Sequence, residues 1–253
     1  YIQRSLGFKE TFSYEFARFN MTGVLSSGRV IREKVNSGEL VGWDDPSLTT
    51  LVALRRRGFD PKAVKDFVVS TGMTKNEATL TWDDLILHNR RILEESTDRY
   101  FFVEEPEKIS VKGAPDREIE MDLHPDHRKG GRKHKTACDF YITVKDLASL
   151  SKDKVHRLMD CLNFKKTGEE YEFDSIEYEN FKGSGGRIIH WLSADTEQVN
   201  AEIMFPNKEV KKGLAEVGVK SLKIGDVIQF ERFGFCRLDA VDGDTYKFWY
   251  THK

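Results

Sequence analysis

The segment His127 to Lys135 reads HRKGGRKHK and places five Lys or Arg within nine residues. Cations at that density can displace the counterions condensed on nucleic-acid phosphates, and Gly130 and Gly131 let the chain bend as a loop following a phosphate backbone must. The competing reading is an ordinary solvated loop. A second basic group, Arg55-Arg56-Arg57, can clamp a phosphate or can simply complement the negative end of a helix. His124, Asp126, His127 and His134 are of metal-binding type, but their spacing fits no standard zinc pattern, and we expect no metal site. The acidic run from Glu169 to Glu179 alternates with aromatics, as a half-solvated strand does. His190 beside Trp191 reads as a core or rim histidine rather than a base. The sequence contains no nucleophile elbow, Walker loop, dinucleotide fingerprint or zincin pattern.

Composition limits what such residues can do. The 253 residues carry 40 Lys and Arg against 42 Asp and Glu, a formal net charge of −2. That balance excludes a general polycation, so any nucleic-acid surface is local. Three cysteines, Cys138, Cys161 and Cys236, lack CxxC spacing, which excludes a disulfide framework and indicates a reducing, cytoplasmic setting. No apolar run reaches the ~18 residues of a membrane span, so no membrane partner is expected. The start, Tyr1-Ile2-Gln3-Arg4, has neither a leader nor an initiator Met, and we expect a piece of a longer protein.

The elements that must position these residues change character near Thr97. Before it the punctuation is helical. Ser26 or Ser27 caps a stretch through Asn36 that Gly38 ends. Asp45-Pro46 opens a helix with Leu48, Leu51 and Val52 inward, ending at Gly58. Pro61 to Gly72 repeats the plan with Val64, Phe67 and Val68 inward, and Thr81 with Asp84 makes a capping box for a helix carrying Leu85, Ile86, Ile92 and Leu93. After Thr97, apolar-aromatic runs such as Tyr100 to Val103, Ile109 to Val111, Ile119 to Leu123, Phe140 to Val144 and Ile188 to Trp191 predict short strands, ending in a meander turned at Gly243. The fold class is therefore α+β, a helical bundle followed by one or two antiparallel β-barrels.

At residues 40–59 the string LVGWDDPSLTTLVALRRRGF resembles a signature of the archaeal and eukaryotic glutamyl- and glutaminyl-tRNA synthetases. The likeness continues in family order through Arg99-Tyr100-Phe101-Phe102, Leu123-His124-Pro125, Gly131-Arg132, His156-Arg157-Leu158, Ile189-His190-Trp191, Ala201-Glu202 and Gln229-Phe230-Glu231-Arg232. The ending, GFCRLD and then FWYTHK, is most similar to archaeal-type glutamyl-tRNA synthetases. The resemblance implies a class I enzyme whose nucleotide-binding catalytic domain lies mainly before residue 1. Residues 1–97 would be the end of that domain and a helical stem-contact region. A proximal anticodon-binding barrel would follow, built from 98–125 and 193–253, with a distal barrel, 126–192, nested inside it.

Residue roles follow from the same likeness. Leu25-Ser26-Ser27-Gly28-Arg29 stands where the family has its KMSKS-type loop, with Arg29 in place of the lysine that steadies ATP phosphates. The HIGH-type motif is absent from this sequence, so we expect the piece to be inactive alone. Arg99, Gln229 and Arg232 match residues that hold the middle anticodon base, and Arg157 one that contacts the first. An amide reads a base edge with a donor and an acceptor, and a guanidinium takes a keto oxygen or phosphate. The alternative for Arg232 is pairing with a nearby carboxylate. Arg128, Lys129, Arg132, Lys133 and Lys135 would then follow the tRNA backbone. The implied activity is glutamate–tRNA ligation using ATP and Mg²⁺, with the tRNA of glutamate, or also of glutamine, as partner and no cofactor for the piece itself. A glutaminyl-tRNA synthetase piece and a non-catalytic tRNA-binding protein stay open as alternatives.

Overall fold

A computed structural model of the chain describes residues 1–15, 19–72, 78–152 and 154–253. After one helical turn, α1 (Ile2–Ser5), and strand β1 (Phe19–Met21), α2 (Gly28–Asn36) begins behind Ser27 and gives way to Gly38 at φ 79°. The next helix, α3 (Leu51–Arg57), starts later than the Asp45-Pro46 pair predicts. Asp45 does not cap it. Its buried carboxylate accepts from the N–H groups of Val41 and Ser47, both at 3.1 Å, and from Ser47 Oγ at 2.6 Å, which ties down the loop instead. Thr50 is the cap, accepting from Ala53 N at 3.1 Å. With the start displaced the inward face rotates, burying Ala53, Leu54 and Arg57 and leaving Leu51 and Val52 exposed, contrary to expectation.

α4 (Pro61–Ser70) is capped by Asp60 and buries Ala63 and Phe67, whereas Val68, expected inward, lies a helical step off that face and is exposed. β2 (Ala78–Leu80) pairs in parallel with β1. α5 (Trp82–Ser96) opens with the Thr81–Asp84 capping box and buries Leu85, Asn89 and Leu93.

From Arg99 the chain is mostly strand. β3 (Arg99–Tyr100), β4 (Phe102–Glu104), β5 (Pro106–Lys112), β6 (Arg117–His124), β7 (Arg128–Thr136) and β8 (Asp139–Thr143) lead to a short helix, α6 (Val144–Ala148). β9 (Val155–Leu158), β10 (Leu162–Thr167), β11 (Glu170–Ser175), α7 (Tyr178–Phe181), β12 (Ile188–Ile189) and β13 (Leu192–Ser193) follow. The last five strands are β14 (Gln198–Met204), β15 (Val210–Glu216), β16 (Val227–Phe230), β17 (Gly234–Asp242) and β18 (Thr245–His252), the final three forming the expected meander.

Two seven-stranded sheets result, a distal one ordered β12-β9-β10-β11-β5-β8-β13 and a proximal one ordered β3-β16-β17-β18-β14-β15-β4, with the hairpin β6–β7 outside both. Each sheet curls so that its two edges come from one interrupted segment, β12 and β13 in the first and β3 and β4 in the second. Most pairs are antiparallel, but β5–β11, β9–β12, β3–β16 and β14–β18 are parallel. A strand that closes a curled sheet takes its direction from where the chain re-enters, not from a hairpin.

The division between the sheets falls at Glu105 rather than at residue 125. Strand β5, expected in the proximal barrel, pairs with β8 of the distal sheet from Pro106↔Thr143 onward. Glu105 adopts φ 45°, gives its N–H to Lys212 O at 3.2 Å on the proximal side, and accepts from Val144 N at 3.2 Å on the distal side. The strand just before it serves both cores. Tyr100 and Phe102 pack into the proximal core, Phe101 and Val103 into the distal one. Complete burial of a phenylalanine such as Phe101 contributes about 1.5–3 kcal/mol.

Candidate nucleic-acid interface

Arg99 and Gln229 are Cα partners in the parallel pair β3–β16 that closes the proximal sheet, with Gln229 N donating to Asp98 O at 2.8 Å. Burial alternates along both strands: Tyr100, Ile228 and Phe230 are inside, Arg99 and Gln229 half-buried on the outer face. Barrel closure thus sets a guanidinium and an amide side by side across a separation of 130 residues. The Arg99 Nε is buried and has no hydrogen-bond partner among the described residues. A guanidinium beside an amide is the pair of groups that reading a base edge requires.

Arg232 goes elsewhere. It occupies the turn between β16 and β17 at φ 64°, and its two terminal nitrogens donate to the two Asp146 oxygens at 2.8 and 2.9 Å. His190 Nε2 lies 2.8 Å from Phe102 O, an atom that only accepts, so Nε2 carries the proton and Nδ1 accepts from Arg232 at 2.9 Å. Burial, then the Arg232 charge, lowers the His190 pKa to about 4. Burial pushes the Asp146 carboxyl up, but Arg232 outweighs it and holds it below the usual range. Arg232 is therefore engaged in joining the barrels, the carboxylate alternative foreseen for it, with Asp146 as the partner.

Arg157 is buried in the distal barrel. It donates to Asn163 Oδ1 and Ile176 O, each at 2.9 Å, and lies 5.6 Å from the Tyr178 ring centroid.

The basic run is strand β7, not a loop, and its side chains alternate between two fates. Arg132 and His134 turn inward. Arg132 Nε donates to Glu216 Oε2 at 3.1 Å, Nη1 to Glu231 at 2.7 Å and Nη2 to Glu216 Oε1, while its guanidinium covers the Phe101 ring at 4.5 Å. Glu216 Oε1 also accepts from Phe101 N at 2.6 Å. Burial raises the Glu216 carboxyl, and the adjacent His134 and Arg132 more than compensate, holding it ionised. Arg132, with a side chain 3% exposed, is not a backbone contact. Outward, Arg128 pairs with Asp98 at 2.6 Å, Lys129 with Asp122 at 3.0 Å and Lys135 with Glu118 at 3.4 Å. Lys133 is exposed and stands opposite Glu120 in the hairpin register.

The Arg55–Arg57 triplet mainly docks α3 on the proximal sheet. Arg57 is buried and donates to Thr251 O at 2.8 Å, its pKa lowered by burial to about 10. Arg56 grips Asp239 at 2.9 and 2.8 Å and Asp44 at 2.7 Å, over the Trp249 ring at 4.1 Å. Arg55 and Arg56 both line a shallow cleft of about 430 Å³ with Trp43, Ile224 and Arg237. In the Leu25–Arg29 segment, Leu25 packs on the core of Ile31, Leu40, Leu48 and Ala53, Ser26 and Ser27 are exposed, and Ser27 precedes Gly28 at the start of α2. Arg29, 85% exposed, is 3.5 Å from Glu33. Sequence reasoning missed Asp146 and Glu216, the two carboxylates that organise the junction, because neither lies near its arginine along the chain.

The chain is a helical region followed by two curled sheets, with Arg99 beside Gln229 on one outer face, and comparison with known proteins shows its class. Residues 97–181 and 188–239 each match a family model described as the anti-codon binding domain of class I tRNA synthetases (E and Q), and residues 1–95 match the catalytic domain model of the same group. The chain belongs to this glutamyl and glutaminyl family of class I tRNA synthetases. The catalytic-domain match takes in the helical region up to residue 95.

Curated relatives include the glutamate–tRNA ligase of Pyrococcus horikoshii, 35% identical over 263 residues, which covers 100% of this chain and 45% of the relative. Those of Methanobrevibacter smithii and Methanothermobacter thermautotrophicus are 34% identical over 256 residues and 36% over 255, with the same coverage. The chain spans about half the length of these relatives. No helix among the described residues is long and apolar enough to cross a membrane.

Proposed function

We propose that this chain is the tRNA-recognising portion of a cytoplasmic, archaeal-type glutamate–tRNA ligase, an enzyme that joins glutamate to tRNA in two steps using ATP and Mg²⁺. The observation that carries the reading is the pairing of Arg99 with Gln229 on the outer face of the proximal barrel. Their proposed target is the middle anticodon uridine, whose keto–imino–keto edge suits an amide flanked by a guanidinium. Arg157 is assigned to the first anticodon base, and Arg232 to positioning the two barrels. The names of the relatives favour glutamate over glutamine. Arg29 is the one cation of the KMSKS-like segment, and ATP handling is assigned to the whole enzyme.

The test is a double-mutant cycle between Gln229→Ala and a uridine-to-cytidine change in an anticodon stem-loop of glutamate tRNA. Loss of a bidentate base contact costs about 1–3 kcal/mol, and most of that loss should disappear once the base is altered. Additive losses would rule out base reading by Gln229.

A further inference from the structure

Most charged side chains on the β-sheet domains are neutralised within the molecule, including those of the basic run, where Arg128, Lys129, Arg132 and Lys135 face Asp98, Asp122, Glu216 and Glu118. Several cations, Arg99 and Lys133 among them, have no ion pair among the described residues, and three others of this kind lie together. Lys154, Lys166 and Arg187 sit together at the rim of the distal barrel with no ion-pair partner among the described residues. Lys154 and Arg187 are exposed and Lys166 is half-buried. Lys166 lies one register step beyond the Lys165↔Val155 pair of β10 and β9, which sets it across from Lys154. All three are close enough to His156 for their charges to depress its pKa further after burial. Glu170, at the start of β11 and the same end of the sheet, is held by Lys112.

The loop linking α7 to β12 fixes this group in place. It reads KGSGGR from Lys182 to Arg187. Ser184 Oγ donates to Val155 O at 2.9 Å and accepts from Gly186 N at 3.2 Å, so the turn is laced to the first residue of β9. A side chain on Gly186 would place Cβ 1.8 Å from Val155 O, and Gly183 and Gly185 have φ of 81° and 70°. Only glycine allows that approach. His156 donates from Nε2 to Ser151 O at 3.0 Å, leaving Nδ1 to accept from Arg187 N at 3.2 Å. Arg187 O in turn accepts from Arg157 N at 2.9 Å. Arg187 is therefore held at the end of a rigid turn in direct backbone contact with Arg157, Lys166 stands on β10, and a Cβ built on Gly185 would lie 3.6 Å from Lys154 Nζ.

We propose that Lys154, Lys166 and Arg187, arranged by the Gly183–Gly186 turn, form a backbone-phosphate site for RNA at the rim of the distal barrel. Unpaired, clustered cations retain the field that paired ones lose, and a rigid glycine turn lets a bulky sugar-phosphate chain come close. The site positions the strand whose bases Arg157 and the proximal barrel read, and in that respect it rests on the function proposed above. It chooses no sequence itself.

The experiment measures binding of a glutamate-tRNA anticodon stem-loop and of a stem-loop with an unrelated anticodon across a salt series, using the chain and its K154Q/K166Q/R187Q variant. Each lost single-strand phosphate contact reduces the slope of log affinity against log salt by about 0.7, so the triple variant should be shallower by about 2 on both RNAs. The single variant Arg187→Gln, at an exposed position, should lose about one third of that and guards against a folding defect in the triple variant. An unchanged slope overturns the proposal even where the anticodon is still preferred. Equal binding of both stem-loops with a reduced slope supports the phosphate site and removes the base-reading function instead. Failure of the chain to bind either RNA overturns both.

Discussion

Arg232 and Asp146 lie 86 residues apart and meet across the junction of the two barrels through a two-pronged contact at 2.8 and 2.9 Å. Asp146 lies on the distal side of the junction in α6 and Arg232 in the proximal turn between β16 and β17, so the pair sets how one barrel sits on the other.

Removing either charge should therefore cost stability before it costs recognition. Asp146→Asn leaves Arg232, which is one-third exposed, without its partner, and should reduce unfolding free energy by about 1–3 kcal/mol, less than a fully buried pair because water screens one side. Urea titration measures the loss. Arg232→Gln should do the same and show no coupling to the identity of the middle anticodon base. Strong coupling would return Arg232 to the reading face.

Acid should weaken the fold earlier than carboxylate titration alone predicts. His190 and His252 are both lowered to about 4, by burial first, with Arg232 adding to the first and Arg90 and Arg57 to the second. An unfolded histidine titrates near 6.5. Between those values the unfolded chain binds more protons, so stability is full above about pH 6.5 and declines toward pH 4 by up to roughly 1.4 kcal/mol per unit for each histidine. Asp146 and Glu216, both held below the usual carboxylate range, add a further loss only as pH falls through about 4 and lower. A urea midpoint that stays level from pH 6.5 to 4.5 would contradict this, and His190→Gln should flatten part of the decline.

The inward and outward members of the basic run should behave differently. Arg132→Met strands the buried Glu216 carboxylate and should cost about 3–5 kcal/mol, whereas R132M/E216Q, which removes both charges, should recover much of the loss. Replacing Arg128, Lys129, Lys133 and Lys135 together by Gln should shift thermal stability little and shallow the RNA salt slope by less than about 1, since only Lys133 has no ion pair among them. Thermal melts and the salt series described above measure both.

Much of the architecture was legible because it is written locally. The Thr81–Asp84 capping box, the Gly38 stop and the Gly243 turn each depend on a few neighbouring residues, and each is found where its chemistry places it. The KGGRKHK pattern reads as a loop, and is a strand, for a physical reason. Its alternation is real, but the inward positions are Arg132 and His134 rather than apolar residues, so the period-two signal carries no hydrophobic contrast. The fate of Arg232 was equally invisible, because Asp146 is brought to it by the folding of an entire barrel. The division at Glu105 rests on one left-handed residue of a type that does not announce a turn.

The distal sheet is assembled wholly from residues 106–193, an unbroken length of chain, whereas the proximal sheet needs residues 99–104 from one side of it and 198–252 from the other. The two proximal lengths are far apart in an extended chain and near neighbours once the intervening stretch has condensed, since β13 ends and β14 begins a few residues apart. Loop-closure entropy grows with the number of flexible residues between the ends, so a collapsed insert removes most of that cost. Assembly accordingly runs from the inside outward. On a ribosome, the distal barrel can finish as soon as Ser193 emerges, while the pairing of β3 with β16 must wait for Phe230 and that of β14 with β18 for the strand ending at His252.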